Sequence, residues 1–138
     1  MKILFTILIV GLTITLKAQI PVNFDDCGSD MFFATAEQMP KWNNKSKTLE
    51  QFLENEFKVL KNIEKANGEI IIGIIVDEDG SVCCKSIINT TITELDTKTI
   101  KNIIDKMPKW KPAIQNSKSI IFLHHLIIKM KDGKITIK

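Results

Sequence analysis

Ile70 to Val76 is a run of β-branched residues broken only by Gly73, and Asp77-Glu78-Asp79-Gly80 and a second strand-like stretch, Ser81 to Asn89, follow at once. β-Branched side chains are stiff about χ1 and suit a pleated surface. Asp-Gly supplies a residue that accepts positive φ, so the unit reads as an antiparallel hairpin. In a strand, alternate side chains share a face. Ile70, Ile72, Ile74 and Val76 then lie on one face, and Ile71, Gly73 and Ile75 on the other. Both faces are apolar, which places this strand at the centre of a sheet or under a second covering layer. The return strand alternates Val82, Cys84, Ser86 and Ile88 against Cys83, Lys85, Ile87 and Asn89.

Helical periodicity flanks the hairpin. Thr48-Leu49-Glu50-Gln51 fits a capping box, in which the threonine oxygen and the glutamine side chain satisfy free amides reciprocally. Leu49, Phe52, Leu53, Phe57, Leu60 and Ile63 form one apolar stripe. Glu50, Glu54, Lys58, Lys61 and Lys65 fill the wet face, with Glu54 placed to pair with Lys58, and Asn67-Gly68 ends the helix. A second helix is expected from about Thr93, with Thr91 and Glu94 as its capping box and Ile100, Ile103, Ile104 and Met107 as its buried stripe. Pro108 stops it, having no amide to donate. Pro112 and Asn116-Ser117 read as an extended, loop-like linker. Ser119 to Met130 is the last long strand, with Ile120, Phe122, His124, Leu126 and Ile128 on one face and Ile121, Leu123, His125, Ile127 and Lys129 on the other. A turn at Lys131-Asp132-Gly133-Lys134 leads to a short strand, Ile135–Ile137. The order predicts an α+β domain: a small, mostly antiparallel three-stranded sheet, the terminal hairpin strand a candidate fourth, with two helices on one face.

The first eighteen residues stand apart. Lys2 precedes an apolar run from Ile3 to Leu16, and Leu16-Lys17-Ala18 offers a small residue for cleavage before Gln19. A run this short suits a signal peptide better than a span of roughly 20 residues, the less favoured reading being an uncleaved anchor. The expectation is an exported, periplasmic chain, 19–138, with an irregular arm over 19–47 and the domain over 48–138. Of the 19 basic residues all are lysine, and removing Lys2 and Lys17 leaves 17 against 16 acids. Sequence-specific nucleic-acid readers lean on arginine forks, so a nucleic-acid partner is not expected. Phe24, Met31, Phe32 and Phe33 make parts of the arm apolar enough to dock on the domain. In an oxidising compartment Cys27 can bridge to Cys83 or Cys84; the alternative is that one of that pair packs as a small hydrophobe while the other is exposed.

Reactive constellations are weak. His124 and His125 are adjacent in a strand, so their side chains leave on opposite faces and cannot share an ion. Asp77-Glu78-Asp79 lacks the spacing of a calcium loop. Cys83 or Cys84 with a histidine would need a thiolate that nothing nearby stabilises. Neither a phosphate loop nor a nucleophile elbow occurs. The expectation is no enzyme, no cofactor and no metal. Binding has better support: a long apolar last strand at a sheet edge offers unpaired amides and carbonyls to an added strand. A neighbouring subunit, giving a homodimer, or the chain's own arm would be the other ways to cover that edge.

Met-Pro-Lys-Trp occurs twice, at Met39–Trp42 and Met107–Trp110, in a chain with only two tryptophans and four prolines. One copy follows the loose arm and the other ends a helix, so they read as markers at unrelated places. The second tryptophan is expected to pack under the sheet. Together with Glu37-Gln38 before the first copy, the Gly68–Val82 hairpin, Leu95-Asp96 and Lys111-Pro112-Ala113 after the second, they give the chain from about Gln38 onward a family look. It resembles the C-terminal domain of TonB energy transducers, in the form common in Bacteroidetes-type bacteria. The resemblance implies a role in energy-coupled transmembrane transport, through a periplasmic domain that binds the N-terminal box peptide of outer-membrane TonB-dependent transporters by strand addition. The partner strand would be Ile120, Ile121, Phe122, Leu123, His124, His125, Leu126, Ile127 and Ile128. The family's Tyr-Pro contact falls at Phe57 and Lys58, where the proline is lost and the helix is free to continue. ExbB–ExbD would be partners of an anchored form. A proline-rich linker is not seen, so the expectation is a free-standing adaptor; the alternative is an envelope module contacting the cell wall or another exported protein.

Overall fold

A computed structural model describes residues 19–138 apart from Thr91 and Thr93. The signal-like segment 1–18 and the expected capping threonine Thr91 therefore lie outside the described residues. In chain order the elements are β1 (Val22–Asn23), α1 (Leu49–Glu56), β2 (Asn67–Val76), β3 (Val82–Asn89), α2 (Thr97–Asp105), β4 (Ala113–Gln115), β5 (Lys118–Ile120), β6 (Phe122–Lys131) and β7 (Lys134–Ile137). The fold is α+β. Five strands make one antiparallel sheet in the order β1-β3-β2-β6-β7, and β4-β5 form a separate ribbon. The sheet is thus larger than the expected three or four strands, because the arm supplies β1 at one edge.

β2 is central, as its two apolar faces require. It pairs with β3 on one side and along its whole length with β6 on the other, from Asn67↔Lys131 to Val76↔Phe122. Ile70, Ile72, Ile74, Val76, Leu126 and Ile128 face the helices, where Leu53, Phe57, Ile100 and Ile104 complete a core of fully buried side chains. The β2–β3 register shifts between Gly73↔Ser86 and Ile74↔Cys84, leaving Lys85 as the extra residue of a β-bulge. This corrects the simple alternation expected for β3. Val82, Cys84 and Ile87 all reach the core, because a bulge resets the face on which later side chains emerge.

Both helices are shorter than their patterns suggest. Thr48 caps α1 with the full capping box, Thr48 Oγ1 accepting from Gln51 N at 3.2 Å and Gln51 Oε1 from Thr48 N at 3.0 Å. The helix does not run on to Asn67: it tightens at Phe57–Val59 into a 3₁₀ turn and Leu60 becomes extended. The turn tucks Phe57 wholly into the core. Asn67-Gly68 opens β2 instead of closing a helix. Glu54 does not pair with Lys58; its Oε1 accepts from Ile135 N at 2.9 Å, tying α1 to β7. In α2 the cap is Asp96, whose carboxylate accepts from Thr99 N at 3.1 Å, and Glu94 lies outside the helix at φ 57°.

The linker after Pro112 is the ribbon β4–β5, turned by Asn116 and Ser117, both at positive φ. Ile120 belongs to that ribbon, paired with Ala113, so the last strand is not continuous from Ser119 as expected; it restarts at Phe122.

Candidate partner-binding edge

β6 has β2 along one side. On the other side β7 pairs with it only from Ile128↔Ile137 to Lys131↔Lys134, and Lys138 N donates one further bond to Ile127 O at 3.0 Å. At the opposite end Phe33 of the arm forms a parallel bridge: Phe33 N donates to Ile121 O at 2.8 Å and Leu123 N donates to Phe33 O at 2.9 Å. In an antiparallel ladder successive residues send their amides to alternate sides. The odd-numbered residues of β6 therefore present theirs outward. Between these two covers, the C=O of Leu123, the N–H and C=O of His125 and the N–H of Ile127 face no strand among the described residues.

The sheet's other edge is closed. β1 pairs Val22↔Ile87, and Phe24 N donates to Lys85 O at 2.9 Å. Past the bulge, Cys84 N donates to Asp105 Oδ1 of α2 at 2.7 Å. Lys101 of α2 holds Asp26 at 2.8 Å, lies 5.2 Å from the Phe24 ring, and also pairs with Asp105. Cys27 is disulfide-bonded to Cys83, so one of the pairings left open by the sequence is the one formed, and Cys84 is the buried free thiol. Cys83 is the direct partner of Ile75 and shares its helix-free face. The arm thus crosses that face from the β3 edge to the β6 edge. Ile75 is only 3% exposed there, whereas Ile71 on the same face stays partly exposed.

The residues expected from sequence to meet a partner separate into groups. Phe122, Leu126 and Ile128 are buried in the core and Ile120 is in the ribbon. His124 faces the helix side, 5.8 Å from the Trp110 ring; His125 is exposed on the other face between half-buried Leu123 and Ile127. Burial holds His124 below the usual histidine value, with His125 adding a smaller repulsion. Phe57 is fully buried, which corrects its expected part in partner contact: no ring is presented there. Exposed Lys58 lines a cleft of about 590 Å³ with Gly133 and Ile135, against β7 rather than beside His125. The arm covers part of this edge, one of the alternatives open in the sequence, through Phe33. Met31, Phe32 and Phe33 border a groove of about 530 Å³ with Ile120 and Ile121, and Met31 is 83% and Phe33 54% exposed. Three large apolar residues in succession were the signal; their destination was not readable.

Other polar clusters are engaged structurally. Asp79 Oδ1 accepts from Ser81 N and Oγ at 2.9 and 2.6 Å and its Oδ2 pairs with Lys109 at 3.0 Å, which together hold its carboxyl well below the usual range. Cys83 carries no free thiol, and burial pushes the Cys84 thiol up to about 12. Among the described residues no helix is long and apolar enough to cross a membrane. Compared with known protein families, with curated proteins and with solved structures, the chain gives no match.

Proposed function

We propose that this is an exported TonB-like domain that binds an extended peptide by strand addition to β6, the peptide being the N-terminal box of an outer-membrane TonB-dependent transporter. The observation that carries this reading is the unpaired stretch of β6 centred on His125, flanked by half-buried Leu123 and Ile127. Main-chain groups there supply affinity, and the alternating side chains supply selectivity. The disulfide supports export, since such bonds persist in oxidising compartments. The family resemblance rests on the sequence motifs alone. On this reading the domain is a binding adaptor, not an enzyme, and uses no cofactor or metal; ExbB–ExbD enters only if an anchored form exists.

The outward amide of His125 makes a selective test available. Proline is tolerated at an edge strand where its missing N–H would have faced solvent. His125→Pro should leave the β2–β6 ladder and the circular dichroism spectrum intact while abolishing binding of a synthetic box peptide in calorimetry. Unchanged binding by a folded His125→Pro protein would remove strand addition at β6.

A further inference from the structure

The same edge is partly occupied by the chain itself. Phe33 bonds to Ile121 and Leu123, the first two outward positions that a strand running along β6 would need. Its hold is slight. Among the described residues, those two bonds are the only hydrogen bonds that Gly28–Ala36 makes outside the arm, and the Phe33 side chain is more than half exposed. The ends of this segment are firmly fixed, by the disulfide at Cys27 and by the paired bonds of Gln38 with Ile114. A weakly bonded middle between strong anchors is kept in place by local concentration more than by its own contacts.

Resting on the strand-addition reading, we infer that Gly28–Ala36 is a displaceable strap that competes with the partner strand for the upper end of β6, and that the Cys27–Cys83 disulfide sets how firmly it competes. With the disulfide intact, a partner reaches four outward main-chain groups; with the strap released it also reaches Ile121 O and Leu123 N–H. Once the disulfide is open, Gln38 still holds one end of the segment. The other end rests on the two-residue β1 pairing, marginal alone, the Phe24 N bond to Lys85 O and the Asp26–Lys101 ion pair, none of which reaches past Asp26. The chemistry balances with an exported dithiol reductant. The Cys27–Cys83 bond takes two electrons and two protons and becomes two thiols, while the dithiol becomes a disulfide. Both sulfur-bearing residues are partly exposed, so a reductant has access. Cys84, buried on the opposite face and held as a thiol by that burial, is not placed to capture either sulfur.

The test uses the full-length chain, first without any peptide. Amide exchange of Leu123, whose acceptor is Phe33, is compared between the oxidised protein and protein reduced by dithiothreitol, with Cys27→Ser as a second route to the open form. Release of two net hydrogen bonds should speed Leu123 exchange about tenfold, while the amides of Ile72 and Leu126 in the central ladder stay protected and report an intact fold. An unchanged Leu123 in a protein with protected Ile72 and Leu126 overturns the strap. The box peptide is then titrated into both forms and should bind the reduced form about tenfold more tightly. Equal affinity for the two forms overturns the competition. A Leu123 response with no peptide binding to either form keeps the strap but removes the transporter box as its competitor.

Discussion

Lys41 and Lys111 exchange both of their backbone hydrogen bonds, at 3.0 and 2.8 Å. The first copy of Met-Pro-Lys-Trp therefore runs antiparallel to the segment that begins at Lys111, one residue past the second copy, and the two copies are not markers at unrelated places. Trp42 meets Trp110 edge to face with ring centroids 5.9 Å apart, and Trp42 also touches Phe52 of α1 at 5.3 Å. The repeat is the clasp by which the arm joins the helix layer and the segment leaving α2.

That clasp predicts coupled losses. Trp110 is 4% exposed, so Trp110→Ala should destabilise by about 3–5 kcal/mol. Trp42 is half-buried, and Trp42→Ala should cost about 1–2 kcal/mol from lost burial. Edge-to-face rings add about 0.5–1.5 kcal/mol of mutual interaction. In urea denaturation the double variant should therefore lose less than the two single losses combined. Strict additivity would mean that the rings do not stabilise each other.

Gly80 faces the same tryptophan. It sits at φ 85°, Trp110 N donates to its carbonyl at 2.8 Å, and a Cβ there would stand 2.1 Å from the Trp110 carbonyl oxygen. That neighbour is backbone and cannot rotate away. Gly80→Ala should destabilise by more than the ~1 kcal/mol typical of a left-handed position alone. Gly28, at φ 65° and with nothing within 4 Å of where a methyl group would stand, provides the comparison. Gly28→Ala carries only the conformational cost, and equal urea midpoints for the two variants would refute the clash.

The sequence was most legible where the signal is local. The capping box at Thr48, the Asp-Gly turn, the stripe Ile100–Met107 and the two-faced strand Ile70–Val76 each depend on neighbours within a few residues, and each appears in the fold. What was hidden depends on distant partners. The bulge at Lys85 leaves no mark in Cys83-Cys84-Lys85-Ser86, because it answers to the register against β2. The end of α1 at Glu56 is a tertiary override: Phe57 gains more from full burial than from continuing the helix. For the candidate site, the last strand and the arm as one possible cover of its edge could be read, but not the residues that make that cover. Phe33 reaches Phe122 across most of the domain, and no periodicity in the arm specifies that bridge.

The disulfide supplies a large share of the arm's hold. It closes a loop of 56 residues, and loops of this size are worth about 4 kcal/mol through the denatured chain. Cys27→Ser should lower stability by about 2–4 kcal/mol in urea. The remaining thiol should be silent: Cys84 is buried and raised to about 12, so an alkylating reagent at pH 8 should leave the folded oxidised protein unmodified. Unfolding without reductant should then expose one reactive thiol per chain by mass. Rapid labelling of the native protein would contradict the placement of Cys84.

His124 gives the fold a pH dependence in a window of its own. Its ring is partly buried beside Trp110 and Phe122, and burial disfavours the imidazolium, so its value in the fold lies below that in the unfolded chain. As pH falls below about 6.5, the unfolded chain takes up the proton first. The stabilising contribution is complete above that value and is lost as pH drops toward the lower folded value. Asp26, Asp79 and Asp96 are also held below their usual range, but carboxylates lose their contribution only in more acid solution. Urea midpoints measured between pH 7.5 and pH 5 should therefore fall, and His124→Gln should flatten that fall while leaving the steeper loss in stronger acid. A slope that His124→Gln does not change would place the titrating group elsewhere.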